Sequence, residues 1–483
     1  MRRSLSSVLG SLVLAAGSLL GSGCAAQPDA CRADGPRFVR GAGSATAGSV
    51  AHAAPRYLES FEVAVADARS EKKLVFVDAW APWCHTCLSM RKEVLERPEM
   101  GHFSDRFVFA AVDTDRPESA AFLERYALRV WPTFFVIDPE SGAVLSMYGG
   151  SGTLEEMSHL LEAGLAARSG GGPGERTLAE AHDAYVKKDT ARAAELYVEA
   201  SRTVPDARRA EALLGAIRAL SELESPERCV DFGVAHAAEV PGSSTPIDFT
   251  YYLKECVDAL PAGAAKDDAA RFVKRRVDAF VVSPPAGASV DDRADLFALA
   301  AELAESSHDE AGAKVLQKAR LALLDQAVKA ARTPEDAHVF DYERMGALLA
   351  LGRGKEAVAM FEGRTADMPT SYEPYARLAS TLLAMGELEK AMAPLDRAIA
   401  LSYGPRRLRY LASKADAQSK LGALDAAVET LSAEVEGWRA LGPAQGGAAR
   451  VAAAEKRLAA ARALADAAKA PAQKAPAQKT YKH

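Results

Sequence analysis

A pattern of small and aromatic residues recurs about every 34 residues in the C-terminal part of this 483-residue chain, and it constrains the fold more than any other feature. Gly352, Ala357 and Phe361 set the register. Equivalent positions follow 34 residues later and again 36 residues after that, as Gly386, Ala391, Leu395, Gly422, Ala427 and Leu431. Small residues let two helices approach closely, and each helix pair buries its open face only by stacking on the next. The period therefore predicts an all-α solenoid.

Weaker copies extend this register over most of the C-terminal region. Further matches are Pro369, Tyr375, Leu378, Ala379, Leu382 and Ala398, and a degenerate early copy consists of Ala181, Ala184, Ala193, Tyr197, Ala200 and Pro205. The spacing resembles the tetratricopeptide repeat (TPR) family, which implies a surface that binds protein partners. We predict TPR-like repeats over 177–442, irregular within 207–335, then an alanine-rich capping helix over 443–470 and a disordered tail over 471–483.

The region before the repeats alternates between strand-like and helix-like patterns. Apolar runs rich in β-branched and aromatic residues predict strands over 74–80, 107–112, 133–137 and 143–148, the last two joined by a tight turn. Helical patterns occupy 57–71, 84–96 and 153–167, and Pro117 opens another helix. This order predicts a mixed α/β domain over 57–168, which a glycine-rich flexible linker at 169–176 separates from the helical part.

Cys84 and Cys87 stand three positions apart where an apolar strand meets a helical pattern, a placement suited to reversible dithiol–disulfide chemistry. The residues that surround this pair along 57–167 are, in order, Asp78, Trp80, Trp83, Asp113, Pro132 and Thr133. The series resembles the thioredoxin superfamily. The resemblance implies the α/β thioredoxin fold, a central mixed sheet flanked by helices, with the Cys84–Cys87 disulfide as the redox group and no further cofactor.

The resemblance also implies a role for each of these residues. Cys84, at a helix N-terminus that favours its thiolate, would be the nucleophile, and the more buried Cys87 would resolve the mixed disulfide. Asp78 would move the proton of the resolving cysteine; its alternative role is a strand-end aspartate that caps a turn. Pro132 would be a cis-proline opposite the dithiol; its alternative is a trans proline at a strand start.

His85 and three tryptophans lie close to the two cysteines in sequence. A protonated His85 would lower the pKa of Cys84 and make the disulfide more oxidising; the alternative is an exposed loop residue. Trp80, Trp83 and Trp131 are expected to form a rim that receives the substrate, or to pack in the core. Zinc needs four ligands, and the sequence has no second Cys-x-x-Cys or spaced His pair, so we predict no metal.

The first 23 residues have the pattern of an export signal. Arg2 and Arg3 precede an apolar stretch at 8–20, and small residues stand directly before Cys24. This resembles a bacterial lipoprotein signal. It implies acylation of Cys24, a flexible tether over 24–56 and a periplasmic protein held, by its lipid alone, at the outer membrane; plain secretion, a retained anchor and twin-arginine export are the alternatives. A net charge of −6 gives no indication of nucleic-acid binding.

The other cysteines leave one pairing open. Cys229 and Cys256, 27 positions apart in the helical region, form either a disulfide between neighbouring helices or two buried free thiols. Cys31 stands alone in the tether.

Together these patterns predict an exported, membrane-tethered thiol–disulfide oxidoreductase, either reductase or oxidase, whose TPR repeats recruit protein clients or a redox partner. The alternative is a TPR scaffold or holdase-type chaperone in which the thioredoxin domain is accessory.

Overall fold

The computed structural model describes residues 53–469. The predictions for the export signal, Cys24, Cys31, most of the tether and the C-terminal tail therefore lie outside the described residues. Within that range, no helix combines the length and the apolar character that crossing a bilayer requires.

A five-stranded mixed sheet forms the first part of the described chain. Its elements are β1 (Tyr57–Leu58), α1 (Phe61–Glu71), β2 (Leu74–Trp80), α2 (His85–Met90), β3 (Phe107–Asp113), α3 (Ala120–Arg125), β4 (Thr133–Ile137), β5 (Val144–Gly149) and α4 (Leu154–Arg168). The strand order is β1-β3-β2-β4-β5; β3 is parallel to β1 and β2, and β4 is antiparallel to β2 and β5. The central strand β2 is buried along nearly its whole length, which explains its continuous apolar sequence.

Short helical turns supplement these elements. A π-helical turn, Arg91–Leu95, continues α2, and 3-10 turns occupy Pro98–Phe103 and Pro117–Ser119. The predicted helix at 57–71 is wrong in its first residues, because β1 pairs with β3 as an edge strand and α1 begins only after its N-cap, Ser60.

Helices make up the rest of the described chain. They are α5 (Pro173–Val186), α6 (Thr190–Thr203), α7 (Asp206–Ser221), α8 (Pro226–His236), α9 (Thr245–Ala259), α10 (Ala264–Val282), α11 (Val290–Ser306), α12 (Glu310–Ala330), α13 (Pro334–His338), α14 (Asp341–Ala350), α15 (Gly354–Asp367), α16 (Tyr372–Ala384), α17 (Leu388–Leu401), α18 (Gly404–Lys420), α19 (Leu424–Ala440), α20 (Gly442–Gln445) and α21 (Ala448–Lys469), with a 3-10 turn at Ala237–Glu239. Consecutive helices pack most closely, as α5 with α6 and α16 with α17 do.

The small residues of the 34-residue register lie where the pattern predicts. Ala357, Ala391 and Ala427 are fully buried at helix contacts. Cys229 of α8 and Cys256 of α9 form a disulfide, so the structure has the first of the two alternatives for this pair.

The helical part packs directly against the sheet. Arg208 of α7 donates hydrogen bonds to the carbonyl oxygens of Leu145 and Ala163, and Glu211 of α7 accepts one from the Met147 N–H at 2.8 Å. These contacts provide hydrogen-bond partners for backbone groups on the outer edge of β5. One cluster of buried apolar side chains extends from the sheet into the helices. The break between α4 and α5 spans only residues 169–172, because a proline already opens α5. The predicted linker at 169–176 is therefore too long, and the two parts form one packed body.

Candidate functional site

The two cysteines lie at the start of α2. Cys84 is the N-cap residue, and its sulfur accepts a hydrogen bond from the Cys87 N–H at 3.0 Å. The pair forms a disulfide with 5.2 Å between the Cα atoms. Cys84 is 5% exposed and Cys87 is fully buried. The unpaired N–H groups of the first helical turn favour negative charge on the Cys84 sulfur, so this is the cysteine placed to react as a thiolate.

Asp78 is a buried acid within β2. It is 1% exposed, and neither carboxyl oxygen has a hydrogen-bond partner among the described residues. Burial raises the pKa of Asp78 to about 7, although the Arg91 guanidinium, whose Nε lies 3.7 Å from Oδ2, opposes the shift. The group can therefore exchange a proton near neutral pH. The alternative of a turn-capping aspartate is wrong, because Asp78 is paired inside the strand.

Two of the three tryptophans meet beside the dithiol. The ring centroids of Trp83 and Trp131 are 5.5 Å apart. The Trp83 N–H donates to Oδ2 of Asp115 at 2.7 Å, and the Trp131 N–H donates to Oγ1 of Thr114 at 2.8 Å. Both rings are thus fixed to the loop that follows β3.

The peptide bond between Trp131 and Pro132 is cis, so the cis form predicted for this proline is confirmed. The ring of Trp80 packs against Arg91, whose guanidinium carbon lies 4.1 Å from the ring centroid. Of the three tryptophans expected to form a substrate rim or to pack in the core, Trp83 and Trp131 are in contact with each other.

His85, the first residue of α2, contacts the helical part, and its side chain is only 21% exposed. Its ring stacks on Tyr342 with 5.0 Å between centroids. Its Nδ1 lies 3.3 Å from Oδ1 of Asp291, and its Nε2 lies 3.4 Å from Oε1 of Glu343. Burial by itself would lower the pKa of His85, but the charge of Asp291 and the hydrogen bond with it raise that pKa. The alternative of an exposed loop residue is wrong.

Arginines of the helical part contact the residue before Cys84. Arg377 of α16 donates to the Trp83 carbonyl oxygen at 2.8 Å, and the Arg406 guanidinium of α18 lies 3.9 Å from the Trp83 ring centroid. Burial raises the pKa of Asp115 to about 6, and the charge of Arg406 opposes that shift. The face around the dithiol is thus covered by helices rather than open to solvent.

The loop after β3 is held in the same way. Tyr403 donates a hydrogen bond to the Asp113 carboxylate. The side-chain amide of Gln445 donates to the carbonyl oxygens of Thr114 and Arg116, at 2.9 and 2.7 Å. Three helices of the C-terminal half, α16, α18 and α20, therefore contact the strand ends and loops around the dithiol.

The sequence predicted the cysteines, Asp78, His85, Pro132 and the tryptophans of the first part. It did not indicate Arg91, Thr114 and Asp115, which contact them, or any residue from the helical part. Asp291, Tyr342, Glu343, Arg377 and Arg406 carry no local motif. They stand at least 206 positions from their partners at the cysteines. Three aspartates within 291–295 were a signal, but acids at a helix start are usually solvated. Over residues 53–469, no cluster of three or more His, Cys, Asp or Glu is arranged to hold a metal ion.

Comparisons with known proteins match the two parts separately. A family model described as thioredoxin-like matches residues 56–139, and one described as tetratricopeptide repeat matches residues 348–414. A search of curated proteins found no match.

Similar solved structures are repeat proteins. A TPR protein from Parabacteroides merdae has a TM-score of 0.38 at 11% identity over 60% of this chain and 98% of its own. A TPR protein from Thermus thermophilus has a TM-score of 0.28 at 20% identity over 44% and 99%. The TPR2AB domain of yeast Sti1, in a complex with pHSP90, has a TM-score of 0.23 at 17% identity over 60% and 98%.

Proposed function

Because this chain contains a thioredoxin-like domain and a tetratricopeptide repeat, we propose that it is a thiol–disulfide oxidoreductase that acts through Cys84 and Cys87. The observation that carries the proposal is the disulfide at the start of α2, in which the reacting sulfur accepts the N–H of the next turn. A thiolate at that position is stabilised, and it is the thiolate that attacks disulfides.

The reaction proceeds by two exchanges. The Cys84 thiolate attacks one sulfur of a substrate disulfide; the substrate S–S bond breaks, a mixed disulfide forms and the other sulfur leaves as a thiolate. The Cys87 thiol passes its proton to Asp78 and attacks the Cys84 sulfur. This forms the Cys84–Cys87 disulfide and releases the second substrate thiolate, so the substrate gains the two electrons that the protein loses. The reverse sequence oxidises a substrate dithiol.

Substitution of each cysteine tests this proposal. With a disulfide-bonded model protein as substrate and dithiothreitol as reductant, we expect Cys84→Ser to abolish turnover. When the pre-reduced Cys87→Ser variant is freed of dithiothreitol and mixed with the same substrate, we expect it to trap mixed disulfides visible on non-reducing gels. The control is the double variant Cys229→Ser and Cys256→Ser, which removes the structural disulfide and should retain turnover if it folds. Normal turnover in Cys84→Ser, or the absence of any trapped adduct in Cys87→Ser, would contradict the proposal.

We further propose that the protein is exported and lipid-anchored through Cys24. The Cys229–Cys256 disulfide supports an oxidising compartment, since disulfides are rare in the reducing cytosol. Growth with labelled palmitate tests the anchor: the wild-type protein should carry label and Cys24→Ser should carry none. An unlabelled wild-type protein found in the soluble fraction would contradict lipidation.

TPR repeats generally mediate protein–protein interactions, so we propose that the helical part recruits protein clients or a redox partner. The helix surfaces that contact the dithiol face are already occupied by this chain itself. Recruitment would therefore use the other helix surfaces, or would displace the thioredoxin-like part.

The 5% exposure of Cys84 favours a second candidate function. A TPR scaffold or holdase with an accessory thioredoxin domain does not need an accessible dithiol, so the burial of Cys84 is compatible with that function. Complementation of a deletion strain by the Cys84→Ala gene separates the two. Full complementation would favour the scaffold, and loss of complementation with normal protein levels would favour the oxidoreductase.

A further inference from the structure

Two carboxylates from different helices of the C-terminal half face His85, the residue directly after the reacting cysteine. Asp291 lies at the start of α11, and Glu343 lies in the first turn of α14. Each has an oxygen within 3.5 Å of a different ring nitrogen of His85, and both acids are buried, at 1% and 3% exposure.

This arrangement suits only one protonation state of the imidazole. A neutral ring has one N–H and one lone pair, so one of its nitrogens would face a carboxylate oxygen with its lone pair. The imidazolium has an N–H on each nitrogen and meets both carboxylates with a proton. Two buried acids on opposite sides of the ring therefore stabilise the cation.

Most other charged groups around His85 already have an ion-pair or hydrogen-bond partner. Glu343 is paired with Arg320 of α12, and Arg377 is paired with Glu373 at 3.0 Å. Oδ2 of Asp291 has no hydrogen-bond partner among the described residues. The remaining titratable groups near the ring are Asp292, Asp295, His338 and Tyr342. Asp292 is satisfied by serine hydroxyls and His338 pairs with Asp341. Burial and the charge of Asp291 raise the pKa of Asp295, whereas the charges of His85 and Arg320 lower it. The Arg320 charge also acts on Asp291, but the cation that contacts Asp291, at 3.3 Å, is a protonated His85.

We propose that Asp291 and Glu343 are positioning residues that hold His85, the residue directly after Cys84, as an imidazolium, so that the helical part makes the dithiol more oxidising. A cation next to a thiolate stabilises the reduced form, and a more stable reduced form raises the reduction potential. The raised pKa of His85 agrees with this geometry. The inference rests on the proposed redox chemistry of Cys84 and Cys87, and it adds that the reactivity of this pair depends on a second, helical part of the chain.

The reduction potential of the full-length protein, measured by equilibration with glutathione buffers at pH 7, tests the inference. We expect Asp291→Asn to shift the equilibrium toward the Cys84–Cys87 disulfide by about three- to tenfold, where tenfold corresponds to about 30 mV. Glu343→Gln should act in the same direction, and it serves as the second variant if Asp291→Asn does not fold. In a His85→Ala background, Asp291→Asn should have no such effect.

The sign of the shift separates this mechanism from a direct charge effect. If Asp291 acted on the thiolate directly, its removal would relieve repulsion and shift the equilibrium toward the dithiol, in the opposite direction. Asp336→Asn is the matched control, because Asp336 pairs with Lys92 across the same contact at 2.7 Å without touching His85. It should leave the potential unchanged.

Three results would overturn the inference: no shift in Asp291→Asn and Glu343→Gln, a shift toward the dithiol, or an equal shift in Asp336→Asn or in the His85→Ala background. The measurement needs no substrate. A protein that shows the expected shift but turns over no disulfide would contradict the proposed function and support this inference, whereas an active protein without the shift would do the reverse.

Discussion

The Asp78 carboxyl group couples the stability of the folded chain to pH. Its pKa is about 7 in the folded state, against about 3.9 for an aspartate in an unfolded chain. Between these two values the unfolded state has released the proton that the folded state still holds. The free energy of unfolding therefore falls as pH rises from about 4 to about 7, and stays lower above that range.

Asp78→Asn should remove this dependence. We expect the variant to be more stable than the wild-type protein by about 2–4 kcal/mol at pH 8.5, and nearly equal to it at pH 4.5. Urea unfolding of the oxidised, full-length protein at both pH values measures the difference. Asp67→Asn, on the exposed surface of α1, is the control and should change little at either pH. An effect of Asp78→Asn that is the same at both pH values would contradict the prediction.

Arg91 affects the pKa of Asp78. Because its guanidinium charge lowers the pKa of Asp78, Arg91→Gln should raise that pKa further. The pH profile of the proposed Cys87 resolving step should then move to higher pH. The rate at which thiol is released from a preformed mixed disulfide reports this step. A profile that stays in place, or that moves to lower pH, would show that Arg91 does not act on Asp78.

At the scale of elements, the start of α18 is fitted against the loop after β3. Gly404 has a φ of +54°, and a Cβ there would overlap the backbone oxygen of Asp115. Gly422, with a φ of +78°, has open space around the same position. The two glycines therefore share the backbone conformation and differ in whether a neighbour blocks a side chain.

Gly404→Ala should destabilise the protein more than Gly422→Ala. We expect about 1 kcal/mol for Gly422→Ala from the left-handed backbone alone, and about 2–4 kcal/mol for Gly404→Ala, where the loop must also move. Thermal or urea unfolding of both variants provides the comparison. Equal losses in the two variants would show that the Asp115 contact does not constrain α18.

The elements themselves differed in how well the sequence predicted them. The strands β2, β3, β4 and β5 are apolar runs bounded by turn residues, and each was predicted within one residue of its observed limits. The edge strand β1 was missed because it has only two residues, which are too few to show the alternation of polar and apolar residues that identifies a strand. Register could not be assigned within 207–335, although helices fill that stretch, because their small residues do not recur at one spacing.

At the scale of the whole molecule, the helical part is a cover over the dithiol. Arg377 is central to this contact: it donates to the Trp83 carbonyl oxygen, and its guanidinium carbon lies 4.3 Å from the centroid of Tyr342, which itself stacks on His85. Access to Cys84 then depends on how often this contact opens.

Arg377→Ala should make Cys84 more accessible. We expect the reduced full-length protein to react with iodoacetamide about five times faster at Cys84, the factor that corresponds to about 1 kcal/mol of lost contact energy. Arg397→Ala is the control, because Arg397 also lies over a tyrosine ring but contacts only the helical part among the described residues. If both variants react at the wild-type rate, the contact does not limit access to Cys84.

The sequence by itself determined the Cys84–Cys87 pair, the fold around it and the buried acid, because these depend on local patterns. An apolar strand, a helix start and two cysteines one turn apart lie within 14 positions of one another. The repeat period in turn determined the helical class of the second part. Only the tertiary structure decided what surrounds the cysteines. Asp291, Glu343 and Arg377 reach Cys84 and His85 through the stacking of many helices, and the direction in which a stack of helix pairs turns is a sum of small packing angles that no short motif encodes.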